Sequence, residues 1–77
     1  MNPEYSKQAE KFLDSQDNKQ YARIKTAVAK LPKGDVIKMQ GTKDKYRLRV
    51  GSIRVIFTRT LNDIYVEEID SRGQIYK

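Results

Sequence analysis

The sequence predicts an α+β domain, with an N-terminal helical hairpin packed on a twisted antiparallel β-sheet. Three observations carry this prediction. Apolar residues recur at helical spacing as far as Leu31, the run Leu31-Pro32-Lys33-Gly34 breaks the pattern, and from Lys45 onward side chains alternate with period two.

Each element follows in order. Residues 5–15 place Ala9, Phe12 and Leu13 at i, i+3, i+4, the stripe of a short amphipathic helix. Asp17 and Gln20 have capping-box spacing and open a second helix carrying Tyr21, Ile24, Val28 and Leu31 on one face. Proline then disfavours helix at the preceding residue, and Gly34 frees the backbone for a turn. In the next segment Tyr46, Leu48 and Val50 alternate with Lys45, Arg47 and Arg49, as in a strand with one buried face. Gly51-Ser52 suits a two-residue turn with glycine first, the preference of type II′. A second strand follows from Ile53, then a turn at Asn62-Asp63, then a third strand from Ile64 to Ile69. Gln74-Ile75-Tyr76 is the place for a short terminal strand.

With 77 residues, the chain supports one domain, residues 1–77, because so short a chain cannot fill two cores. Hydrophobic residues make up 38% of it, so the core is thin and a partner would add stability. The sequence has no cysteine and no histidine, which removes disulfides, thiolate metal sites and the usual zinc ligand sets. No window of about 18 apolar residues exists to span a membrane, and the N-terminus lacks the apolar stretch of a signal peptide. The expected location is therefore cytoplasmic.

Charge points to an anionic partner. Sixteen basic against ten acidic residues give +6. Residues 38–59 hold Lys38, Lys43, Lys45, Arg47, Arg49, Arg54 and Arg59 against Asp44 alone, so this segment carries a surplus equal to that of the whole chain. Arg47 and Arg49 share a face, because strand side chains repeat every two residues. A turn at Gly51-Ser52 pairs Val50 with Ile53 and so sets Arg49 opposite Arg54. Three guanidiniums on one face can clamp phosphate through paired hydrogen bonds. The same spacing also describes an ordinary solvated strand face.

Several segments of this sequence resemble the RelE/ParE toxin superfamily. They are Ala9-Glu10-Lys11-Phe12-Leu13, Met39-Gln40-Gly41, the run from Tyr46 to Phe57, and the ending Arg72-Gly73-Gln74-Ile75-Tyr76-Lys77. The run from Tyr46 to Phe57 looks like the family's YRLRVGDYRVIY hairpin, and the ending is similar to its RGDVYK close. The resemblance implies the toxin of a type II toxin–antitoxin system. It further implies a cognate antitoxin whose acidic, partly disordered segment wraps the toxin. RelE-like members cleave mRNA on the ribosome without metal, so the implied function is an endoribonuclease that blocks translation and needs no cofactor. ParE-like members act instead on DNA gyrase, and some relatives have no established activity; both remain alternatives. In this sequence Arg47 and Arg49 stand where well-studied RelE enzymes have lysines, and only Asn2 to Tyr5 can supply the family's N-terminal strand.

Metal-free RNA cleavage needs a base for the 2′-hydroxyl, cations for the phosphorane and an acid for the 5′-oxygen. Arg47, Arg49, Arg54 and Arg72 are the expected electrostatic groups, since arginine stays protonated. Tyr76 is the expected acid–base group; stacking on a base or packing on the sheet are its other readings. Lys43 and Lys45 are proton-transfer candidates or phosphate contacts, and Arg59 and Lys77 complete the RNA-binding set. Glu67 and Glu68 are adjacent and on a regular strand point to opposite faces. One of them is placed to neutralise the arginines or act as a base, although adjacent glutamates are more often simply solvated.

Overall fold

The computed structural model describes residues 3–61 and 63–71. Strand β1 (Glu4–Tyr5) leads into helix α1 (Lys7–Asp14) and helix α2 (Asn18–Ala29). The meander β2 (Asp35–Lys38), β3 (Lys45–Val50), β4 (Ile53–Arg59) and β5 (Ile64–Asp70) follows. The sheet order is β1-β5-β4-β3-β2. The α+β class and the helices-then-meander order match the sequence expectation. The sheet is mixed rather than wholly antiparallel, because β1 lies parallel to β5 with Glu4 beside Tyr65 and Tyr5 beside Val66. The possible strand at Gln74-Ile75-Tyr76 and the turn residue Asn62 lie outside the described residues.

Local chemistry sets the helix ends. Ser6 caps α1, its hydroxyl oxygen accepting from the Ala9 N–H at 3.1 Å. Asp17 caps α2, accepting from the Gln20 N–H at 2.8 Å, as its spacing implies. Helix α2 ends at Ala29, two residues before the cis Leu31-Pro32 bond. The hairpin between β3 and β4 has Gly51 at φ +62, and no non-glycine described residue has positive φ. Ser52 therefore excludes type I′, and the turn is the expected type II′.

Helix α1 lies over β5 and α2 over β3. Ala9, Leu13, Ile24 and Val28 meet Leu48, Val55, Phe57, Val66 and Ile69 in one buried cluster, and Tyr46 stacks on Phe57 with centroids 5.6 Å apart. Tyr21, counted on the helix stripe, is 39% exposed. Its ring and that of Tyr5 flank the Lys25 ammonium, 5.8 and 4.4 Å from the two centroids. Burial, with the Tyr21 hydroxyl adding to it, pushes the Tyr5 phenol above its ordinary range. Among the described residues no helix is long and apolar enough to cross a membrane.

One edge of β5 is finished by side chains. The Ser6 N–H donates to the Val66 carbonyl at 2.8 Å and its hydroxyl to the Glu67 carbonyl at 2.6 Å. Two residues on, the Gln8 amide donates to the Ile69 carbonyl at 2.9 Å and accepts from the Ile69 N–H at 3.0 Å. The start of α1 thus continues the pairing that the two-residue β1 begins, and leaves less of the edge free to recruit another strand.

Candidate nucleic-acid interface

The sheet face away from the helices carries the arginines. Arg49 pairs with Arg54 across the β3–β4 hairpin, Val50 with Ile53, and Arg47 with Ile56. The register is the one that the Gly51-Ser52 turn demands. Strand β2 extends the rows on one side, setting Asp35 opposite Arg49 and Ile37 opposite Arg47. Strand β5 extends them on the other, setting Asp70 opposite Arg54 and Glu68 opposite Ile56. One row therefore reads Asp35, Arg49, Arg54, Asp70.

The two end carboxylates answer the arginines. Asp35 lies 3.2 Å from Arg49 Nε and 3.8 Å from Arg47 Nη2, and Asp70 lies 3.5 Å from Arg54 Nη2. These are loose contacts. Arg47 Nε, Arg54 Nε and Asp70 Oδ1 are buried without a hydrogen-bond partner among the described residues. Arg49 and Asp35 are both more than half exposed, so their pair contributes little stability. Ile56 is buried at 6% on this same face, apart from the main core. Together with Arg47, Arg54, Ile37, Met39, Gln40 and Lys38 it lines a groove of about 430 Å³.

A register break between Ile56 and Phe57 supplies the next feature. Phe57 pairs with Val66 but Ile56 pairs with Glu68, so Glu67 is an extra residue on β5. The expectation that Glu67 and Glu68 point to opposite faces is corrected here. Val66 and Ile69 are both fully buried, and the two residues between them turn to the face without helices. Glu67 accepts a hydrogen bond from the Thr58 hydroxyl and sits 3.0 Å from Lys45 Nζ. The Thr58 hydrogen bond, helped by Lys45, holds its carboxyl below the usual carboxylate range against a smaller effect of partial burial.

Of the expected site residues, Arg47, Arg49, Arg54 and Lys45 come together on this face. Lys43 is exposed in the connection between β2 and β3. Arg59 does not join the cluster: it lies two residues beyond Phe57 and so on the helix side, exposed at the end of β4. Arg72, Tyr76 and Lys77 lie outside the described residues. Sequence reasoning missed Asp35, Asp70, Thr58 and the pairing of Glu67. It also treated the chain outside residues 38–59 as near neutral, which hides a second basic cluster. Lys19, Arg23, Lys30, Lys33 and Arg49, with Asp35 as the acid, line a groove of about 560 Å³ between α2 and β3, floored by Ala22, Ala27, Leu48 and Val50.

No protein-family model matches the chain, and no match is found among curated proteins. Solved structures do match. The toxin fold of the archaeal RelE–RelB complex from Pyrococcus horikoshii OT3 superposes with a TM-score of 0.75 at 30% identity, over 95% of this chain and 96% of the other. The chain belongs to the RelE-like toxin superfamily. Two more structures share the fold of this RelE-like chain. The RelB–RelE antitoxin–toxin complex from Methanococcus jannaschii gives a TM-score of 0.76 at 24% identity, over 95% and 94% of the two chains. The YoeB dimer from Staphylococcus aureus gives 0.71 at 20% identity, over 88% and 92%. In this RelE-like member, then, the arginine rows stand on the sheet of a known toxin fold.

Proposed function

We propose that this RelE-like protein is the toxin of a type II toxin–antitoxin pair and an endoribonuclease that cuts mRNA on the ribosome. The observation that carries the reading is the Arg49–Arg54 cross-strand pair with Arg47 beside it. Like charges directly opposite on a sheet are unfavourable unless something anionic meets them. The carboxylates meet them only loosely, and two buried guanidinium Nε–H groups lack an acceptor among the described residues. An RNA phosphate over Ile56 would satisfy both, through the forked geometry that guanidinium offers. In this reading Arg47, Arg49 and Arg54 bind and stabilise the phosphorane. Arg72 and Tyr76 complete the site as transition-state cation and acid–base group, while Lys43 and Lys77 contact flanking phosphates.

The antitoxin partner rests on kinship and charge. Two of the similar structures are RelE bound to RelB. The groove between α2 and β3, cationic at its rim and apolar at its floor, fits an acidic amphipathic segment. Covering it would also add buried apolar area to a small core.

The test is induction in cells lacking the antitoxin, with mRNA 5′ ends mapped by primer extension and Arg54→Ala as control. New ends within translated codons, absent in the control, support the reading. Growth arrest with intact mRNA overturns it and favours a ParE-like action on gyrase, to be read next in a supercoiling assay. No growth defect at all leaves a non-catalytic relative.

A further inference from the structure

The endoribonuclease reading above gives the acid–base role to Tyr76, which lies outside the described residues. Beside the clamp, three strands bring together a second constellation that can move protons. Lys45 from β3, Thr58 from β4 and Glu67 from β5 meet on the face without helices, one row beyond Arg47. Bulges frequently re-aim a side chain beside a functional site. This one is fixed from behind: the Ser6 hydroxyl holds the Glu67 carbonyl at 2.6 Å and the Ser6 N–H holds Val66 at 2.8 Å. The groups remain accessible, with 46% of the Lys45 side chain and 27% of the Glu67 side chain exposed.

Spacing connects the constellation to the clamp. Two residues along a strand cover about 7 Å. A phosphate over Ile56, between Arg47 and Arg54, therefore lies one row from Thr58 and Glu67. That interval is short enough for the ribose attached to the phosphate to bring its 2′-hydroxyl to Glu67.

We propose that Glu67 and Lys45, in place of Tyr76, are the proton-transfer pair of the RNA-cleaving site, with Thr58 as the residue that positions Glu67 and Tyr76 left to stack on a base. This rests on the endoribonuclease reading. The Glu67 carboxylate takes the proton of the 2′-hydroxyl as the 2′-oxygen bonds to phosphorus. The bond from phosphorus to the 5′-oxygen breaks, its electron pair stays on that oxygen, and the Lys45 ammonium protonates it. The products are a 2′,3′-cyclic phosphate and a 5′-hydroxyl end. Glu67 is then protonated and Lys45 neutral, and a proton passing across their 3.0 Å contact restores both. The hydrogen bond from Thr58 keeps the carboxyl ionised below the ordinary carboxylate range. Among the described residues, the other charged or titratable groups near Glu67 are Tyr65 and Glu68 on β5, Glu4 beside Tyr65 on β1, and Arg47 one row along on β3; the helices lie on the opposite face.

The experiment is single-turnover cleavage of ribosome-bound mRNA by the full chain across pH, for wild type, Glu67→Gln and Thr58→Val. General-base loss predicts a rate for Glu67→Gln lower by about 10²-fold or more, with the acid limb gone and half-saturation little changed. Thr58→Val removes the bond that lowers the carboxyl, so its acid limb moves to higher pH, a shift that a purely structural residue would not produce. Wild-type cleavage with Glu67→Gln matching it in rate and acid limb overturns the inference and leaves the nuclease reading standing. A wild type that cuts no mRNA removes the nuclease reading, and this inference with it. Should Glu67→Gln not fold, an acid limb unmoved in Thr58→Val overturns the inference alone.

Discussion

Arg54 on β4 faces Asp70 on β5, Nη2 3.5 Å from Oδ2, while Arg54 Nε and Asp70 Oδ1 are buried beside this contact without partners among the described residues. The carboxylate offsets the guanidinium's charge without reaching its Nε–H. A phosphate competing for Arg54 must displace or share that carboxylate. Asp70→Asn keeps the shape and removes the competing charge. A partly exposed ion pair contributes up to about 1 kcal/mol, so binding of a short single-stranded RNA should tighten roughly fivefold. Fluorescence anisotropy at several salt concentrations checks this. Weaker binding by Asp70→Asn would mean that the carboxylate orients Arg54 rather than masks it.

The faces on which the arginines lie make a sharper comparison. Arg54 belongs to the row Asp35, Arg49, Arg54, Asp70, whereas Arg59 lies on the helix side at the end of the same strand. Removing one cation that binds a phosphate should lower the salt slope of RNA binding by about one. Arg54→Ala and Arg47→Ala should each show that smaller slope together with weaker binding. Arg59→Ala changes net charge equally and should leave the slope nearly unaltered. Equal slopes for all three would place binding in the general field of the protein rather than on the sheet.

The same rows show what the sequence made legible and where it stopped. The Arg49–Arg54 register follows from two local facts, the alternation in β3 and the two-residue Gly51-Ser52 turn. The cap at Asp17 is likewise local. Asp35 was invisible because β2 is four residues with polar ends, and its strand state depends on pairing with β3. Asp70 was hidden by the bulge. Carried on from Arg59 opposite Ile64 without a break, the register would set Ile69, not Asp70, against Arg54. A signal for the bulge existed: Ile64 and Val66 keep period two, and Ile69 then falls out of step across Glu67-Glu68. Such a break in alternation marks an extra residue when the flanking apolar residues must stay in one core.

The side chains that finish β5 make a stability prediction. Ser6→Ala removes both the helix cap on Ala9 and the donor to the Glu67 carbonyl, and should cost about 1–2 kcal/mol. Gln8→Ala leaves both the N–H and the carbonyl of Ile69 without their side-chain partner, and should cost about 1–3 kcal/mol. Urea denaturation checks both, with the midpoint lowered and the slope unchanged. Because Ser6 also holds the bulge, Ser6→Ala should slow RNA cleavage more than Gln8→Ala does. Equal cleavage rates in two equally folded variants would detach the bulge from the chemistry.

Glu67 also makes folding itself depend on pH. Its folded-state carboxyl lies below the ordinary range, chiefly because the Thr58 hydroxyl donates to the ionised form. A carboxyl depressed by folding contributes stability that is present above its unfolded pKa and is lost as pH falls through its folded one. The window therefore lies on the acid side of the usual carboxylate range. Glu67→Gln cannot titrate, so its urea midpoint should decline less than the wild type's between neutral pH and that window. At neutral pH the wild type should be the more stable, because only the ionised carboxylate takes full benefit from both Thr58 and Lys45. Thr58→Val should reproduce much of the flattening, since it removes the larger cause while the Lys45 contact remains. Parallel pH profiles for wild type and both variants would mean that the Thr58–Glu67–Lys45 contact does not persist in solution, and the proton-transfer proposal would lose its geometric basis.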